Sequence, residues 1–136
     1  MRILHTSDWH IGRQFHNVSL LEDQRHVLDQ IVEIAKTENI DVVLVAGDIY
    51  DRAIPPANAV ALVDDVFNQL VNELDIPVIV IAGNHDGPQR LGFASRQLVK
   101  SKLYIAGPLA ADIQSITLPD EHGDVVFYPI PYADPA

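Results

Sequence analysis

The sequence contains no cysteine. A disulfide framework and a thiolate zinc site are therefore both excluded, and any metal would have to be held by imidazole, carboxylate or amide groups. Basic residues are also scarce, with nine Lys and Arg against nineteen Asp and Glu and a formal charge of −10. Phosphate-rich partners normally meet a basic patch, so the charge alone argues against a nucleic-acid surface on this stretch. Two bound divalent cations would offset about four of those charges. Long apolar runs are missing too. The longest, such as Val42–Ala46 and Pro77–Ala82, fall far short of the roughly 20 residues that span a bilayer. The opening residues, Met1 to Asp8, turn polar too early for a signal peptide. These absences predict a soluble, cytoplasmic chain with no membrane partner.

What is present suits one globular domain. The chain has 136 residues, 48% of them hydrophobic. A chain of this length buries roughly 68% of its unfolded surface, enough for a core. The pattern alternates strand and helix. Arg2 to Ser7 reads as a strand that ends in polar residues. Leu20 to Thr37 reads as a helix with Leu21, Leu28, Ile31, Val32 and Ala35 on one face. Val42 to Ala46 is a continuous apolar run suited to a strand buried on both faces. Asn58 to Leu74 reads as a second helix, opened by Pro55 and Pro56. Pro77 to Ala82 and Leu103 to Ala106 read as further strands. A shorter helix, Gln89 to Lys100, lies between them despite Gly92. This order predicts an α/β fold, mainly parallel strands with flanking helices and right-handed crossovers. A C-terminal hairpin, Ile113 to Leu118 and Val125 to Ile130, should follow, with Gly123 in its turn.

Three polar clusters sit directly after three apolar strands: Ser7-Asp8-Trp9-His10, Gly47-Asp48-Ile49-Tyr50-Asp51 and Gly83-Asn84-His85-Asp86. Ligands of open α/β sheets bind at the carboxyl ends of strands, so the clusters should meet at one edge. Asp8 and His10, two apart on an extended chain, would face one point. A carboxylate and an imidazole suit a first-row divalent cation; a local hydrogen bond in a polar loop is the plainer alternative. Asp48 follows a glycine that admits a close ligand, and its two oxygens suit a bridge between cations or a turn cap. Asp51 is placed to support a ligand by hydrogen bonding rather than to bind directly. The amide oxygen of Asn84 ligates without adding charge. His85 beside it would point toward substrate, where an imidazole protonates a leaving oxygen, with Asp86 orienting the ring. Arg13 and Arg90 are weaker candidates for a phosphate contact. Phe15 and His16 are read as loop residues, His5 as structural, and His26 and His122 as solvated.

Asp-x-His, Gly-Asp-x-x-Asp and Gly-Asn-His-Asp, in this order, resemble the first three motifs of the calcineurin-like metallophosphoesterases. The words ILHTSDWHIGR, VVLVAGDIYDRAIPP and VIAGNHDGPQRL are similar to the SbcD nucleases, a branch of that family that acts on DNA in double-strand-break repair and recombination. The resemblance implies that Asp8 and His10 bind one metal, Asp48 bridges two, Asn84 binds the second, and His85 is the catalytic histidine that is not a ligand. It also implies two divalent ions (manganese first, iron or zinc as substitutes) and a partner, the coiled-coil ATPase SbcC. The family completes its site with downstream histidines, including a Gly-His-x-His motif. After Asp86 this sequence has only His122. The chain is therefore expected to be a partial domain over residues 1–136, truncated on its C-terminal side. It should bind metal weakly, be inactive or weakly active alone, and be prone to form homodimers through surface meant for the rest of the fold. The alternatives are a relative acting on a small phosphoester, and a non-catalytic fragment.

Overall fold

The computed structural model describes residues 1–135. Four strands form one parallel sheet in sequential order: β1 (Ile3–Thr6), β4 (Val42–Ala46), β5 (Val78–Ile81) and β6 (Leu103–Ala106). β1 pairs with β4 with Leu4 opposite Val43, β4 with β5 with Val45 opposite Val80, and β5 with β6 with Val80 opposite Ile105. The connections are α1 (Leu21–Thr37), α2 (Ala57–Asn68), and the short α3 (Pro88–Leu91) and α4 (Ser95–Leu98). The mainly parallel α/β architecture anticipated from the alternating pattern is therefore present.

Strand alternation sorts the side chains between two faces. Val43, Val45, Val78, Val80 and Leu103 join Leu28, Val32, Leu62, Val66 and Leu70 of the helices in the main core. The opposite face carries Val42 and Ile79, which pack on Leu118 of the hairpin formed by β7 (Ile116–Leu118) and β8 (Val125–Phe127). That cover is partial, and Ile3, Tyr128 and Ile130 remain more than two-fifths exposed. Among the described residues, no helix is long and apolar enough to cross a membrane.

Several boundaries differ from the sequence expectation for local reasons. The second helix runs on from α2 through a wider turn, Gln69–Glu73, in which the Leu74 N–H donates to the Gln69 carbonyl. The helix expected over Gln89 to Lys100 is broken. Gly92 ends α3, and Ala94 adopts a left-handed φ of 59° before α4 begins. The C-terminal hairpin is shorter than its apolar pattern, and Gly123, at φ 122°, occupies its turn. The segment read as a loop after the first cluster holds a small antiparallel hairpin, β2 (Gln14–Phe15) with β3 (Val18–Ser19). Its turn residues His16 and Asn17 both have positive φ. Two-residue strands lie below the length at which alternation is readable.

Candidate metal centre

The three polar clusters converge at the carboxyl edge of the sheet. The ladder between β1 and β4 continues past the strands: Asp8 N–H donates to the Gly47 carbonyl at 3.1 Å, His10 N–H to the Asp48 carbonyl at 2.9 Å, and Ile11 N–H to the Ile49 carbonyl at 2.9 Å. Asp8, His10 and Asp48 all adopt left-handed backbone, with φ of 58°, 45° and 51°. Such conformations cost of order 1–3 kcal/mol each in non-glycine residues and persist only where neighbours over-determine them. The extended geometry expected for Asp8 and His10 is thus replaced by a tight turn, because the backbone bonds to the second cluster coil the chain. The two side chains still converge.

Their polar atoms form a compact set. His10 Nε2 lies 3.7 Å from Asp8 Oδ1 and 3.8 Å from Asp48 Oδ2. Asp8, His10 and Asp48 offer ligand atoms all within 4.8 Å of one another, and so do His10, Asp51 and His85. His10 Nδ1 is buried with no hydrogen-bond partner and lies 3.7 Å from Asp51 Oδ1. The imidazoles of His10 and His85 meet edge to face at 4.8 Å.

The third cluster is locked to the second through carboxylates. Asp48 Oδ1 accepts from the His85 N–H at 2.9 Å. The buried Asp86 carboxylate accepts from the N–H groups of Gly83 at 2.8 Å, Tyr50 at 3.0 Å and Ile49 at 3.2 Å. The Tyr50 hydroxyl is pushed up to about 12 by burial and then by the Asp86 and Asp64 carboxylates, so it stays protonated. Two glycines permit this approach. A Cβ on Gly47, which has φ 87°, would sit 2.8 Å from the Gly83 Cα, and one on Gly83 would collide with the Asp48 carboxylate.

The profile of the calcineurin-like phosphoesterases matches residues 1–134. The chain belongs to that family. The SbcD component of the nuclease SbcCD from Staphylococcus saprophyticus is 41% identical over 133 residues, covering 98% of this chain and 34% of that protein. The chain therefore spans about a third of that relative's length. Among solved structures, GAP50, the anchor in the inner membrane complex of Plasmodium, aligns with a TM-score of 0.46 at 16% identity, over 93% of this chain and 39% of that one. A likeness that distant carries no argument.

Within this phosphoesterase site, Asp8, His10, Asp48, Asp51 and His85 are gathered as their post-strand positions suggested. Asn84 lies on the same loop, exposed, between Gly83 and His85. Asp86 has a different part from the one expected. Its oxygens receive backbone N–H groups, while the His85 ring rests through Nδ1 on the Asp51 carbonyl oxygen at 3.0 Å. Arg13 stands at the rim, 3.9 Å from Asp51. Arg90 reaches the Ala53 carbonyl at 3.5 Å instead of facing the cluster. His122 is exposed beside Glu121, His26 is exposed beside Gln30, and His5 lies in β1.

One residue that touches the site's backbone escaped the sequence reading. Gln24 of α1 reaches Trp9, His10 and Gly12 through its side-chain amide. A signal existed. Gln24 sits on the apolar stripe of α1, three residues after Leu21 and four before Leu28, and a polar group on a buried face needs partners.

Proposed function

We propose that this chain supplies the first part of the two-metal site of an SbcD-type nuclease, which hydrolyses DNA phosphodiester bonds. The observation that carries the reading is the set of ligand atoms from Asp8, His10 and Asp48, within 4.8 Å of one another, at the carboxyl edge of the sheet. The donor set fits a divalent cation. Two carboxylates and an imidazole are hard-to-borderline ligands suited to manganese, with iron and zinc as substitutes. The orphaned Nδ1 of His10 fits as well. With Nε2 given to a metal, Nδ1 carries the proton and aims it at Asp51, the usual support for a ligating histidine. In this reading Asp48 serves both metals, and Asn84 adds an uncharged oxygen to the second. Bound there, the cations supply Lewis acidity toward the phosphate.

The chain's own groups handle orientation and the proton. The Asp51 carbonyl oxygen can only accept, so it fixes His85 with its proton on Nδ1 and leaves Nε2 for the substrate. Protonated at Nε2, His85 hands that proton to the leaving oxygen. Arg13, at the rim, is placed to meet a phosphate, whereas Arg90 would have to leave Ala53 to do so. The relative's name supports an SbcC-type ATPase as partner, DNA as substrate and a cytoplasmic setting, with residues 1–136 forming part of a longer domain. A homodimer through the partly covered sheet face belongs to the same proposal, and sedimentation tests it.

The strongly acidic balance favours one second reading, hydrolysis of a small phosphoester. Calorimetric manganese titration tests the core of the proposal. Saturable binding that Asp48→Ala removes is expected, and no binding by the native chain overturns it. Manganese-dependent cleavage of duplex DNA, compared with that of a small aryl phosphodiester, separates the two readings in the longer protein.

A further inference from the structure

We propose that Gln24 is a positioning residue of the metal site, although it touches neither substrate nor any ligand side chain; this rests on the metal-binding reading above. Its carboxamide spans the first loop. Nε2 donates to the carbonyl oxygens of His10 at 2.7 Å and Trp9 at 3.2 Å, and Oε1 accepts from the Gly12 N–H at 3.0 Å. Only one orientation of the amide meets all three, because the nitrogen faces two acceptors and the oxygen one donor. These three backbone groups bracket His10, whose φ of 45° is held against the preference of a non-glycine residue. The β4 loop secures the other side through the amides of Asp8 and His10. The strained turn is thus clasped between β4 and α1. Gln24 fixes the α1 side, and with it the direction in which His10 presents Nε2.

Gln24 is itself anchored in a packed helix. Its N–H donates to the Leu20 carbonyl at 2.9 Å, and Leu28, one turn on, is buried in the main core. The chain of effects runs from core to helix, from helix to amide, and from amide to the ligand-bearing turn. Gln24→Met keeps the length and removes all three bonds. Gln24→Glu keeps an acceptor for Gly12 but sets a carboxylate against two carbonyl oxygens.

The test compares Gln24→Met, Gln24→Glu and a control, Leu28→Ala, in the full chain. The control loosens the same helix without touching the loop. Manganese affinity is read by calorimetry or Mn(II) paramagnetic resonance at a temperature where each variant is folded by circular dichroism. Loss of an outer hydrogen-bond partner typically weakens metal binding about 10–100-fold. We expect both Gln24 variants to fall in that range and Leu28→Ala to lower the melting temperature with affinity unchanged. Exchange of the Gly12 amide hydrogen, read without metal, should speed up in Gln24→Met only. Wild-type binding that both Gln24 variants match overturns the proposal, as does a Leu28→Ala variant that loses as much affinity. No manganese binding by the wild-type chain overturns the metal reading and this proposal together.

Discussion

The two ends of the parallel sheet treat acidic residues in opposite ways. At the amino end, carboxylates meet cations. Asp75 pairs with Lys102 at 2.6 Å and Glu38 with Arg2 at 3.4 Å, Asp41 accepts from the Arg2 backbone N–H, and Asp120 holds the Met1 ammonium. At the carboxyl end, Asp8, Asp48 and Asp51 surround one imidazole, with Arg13 at 3.9 Å on the outer side. The backbone differs as well. At the site edge Asp8, His10, Gly47 and Asp48 all sit in the left-handed region. Clustered like charges and strained backbone both cost stability, and their coincidence marks the edge shaped by chemistry. The other edge is shaped by folding alone.

The sharpest way to break that comparison is Asp48→Ala. Asp48 is the one carboxylate tied to both neighbouring loops, through His10 Nε2 and the His85 N–H. Removal of a direct ligand should exceed the effect of an outer partner, so manganese affinity should fall more than about 100-fold. Near-native affinity would show that the cluster is merely a polar turn. His85→Ala comes next. It should cut DNA turnover by the longer protein about 100-fold, the scale of a lost general acid. Metal affinity should stay within about a factor of three. Equal loss of affinity and turnover would make His85 a ligand.

Asp86→Ala probes what holds the edge together. Three backbone N–H groups from two loops converge on this buried carboxylate. Bonds to a charged acceptor are worth about 1.5–3 kcal/mol each in isolation, but freed N–H groups can find water. A net loss of about 2–4 kcal/mol is expected from urea denaturation. A loss below about 0.5 kcal/mol would mean that the loops hold without it.

Asp86 also shows where sequence reading stops. That a polar residue after β5 belongs to the site edge was legible, because strand ends in a parallel sheet share one side. Which atom it serves was not, since the partners lie 36 and 37 residues away at Tyr50 and Ile49. The same division runs through the fold. Val42–Ala46 was readable to the residue because continuous apolar character leaves no choice of face. Gln89 to Lys100 was misread as one helix because the left-handed turn at Ala94 has no sequence signature, alanine being the best helix former. Asp8 and His10 were correctly paired through an extended geometry they do not adopt, since coiling by bonds to Gly47 and Asp48 is a tertiary effect.

The smallest effect belongs to the opposite end of the sheet, in a chain beginning at Met1. The Met1 ammonium is raised above its ordinary 8.0, first by its bond to Asp120, with Asp41 and Glu121 adding to it. The Asp120 carboxyl is lowered below its ordinary 3.8, first by the same bond. A depressed carboxyl stabilises the fold above its unfolded value and loses that contribution as pH falls through the folded one. A raised ammonium stabilises below 8.0 and loses its contribution as pH climbs through the folded value. The pair therefore acts between about pH 4 and pH 8 and fades on both sides. It ties the β7–β8 turn to the start of β1, so its loss should loosen the hairpin and leave the site edge untouched. Melting temperatures of the native chain and Asp120→Asn, measured across pH, check this. Their difference should be small, greatest near neutrality, and close to nil at about pH 10. Manganese affinity should be equal in the two proteins. A gap that persists unchanged at high pH would mean that Asp120 acts through its turn bonds to Gly123 and His122 rather than through the ammonium. The two ends of the sheet would then differ in backbone strain alone, not in how they pair charge.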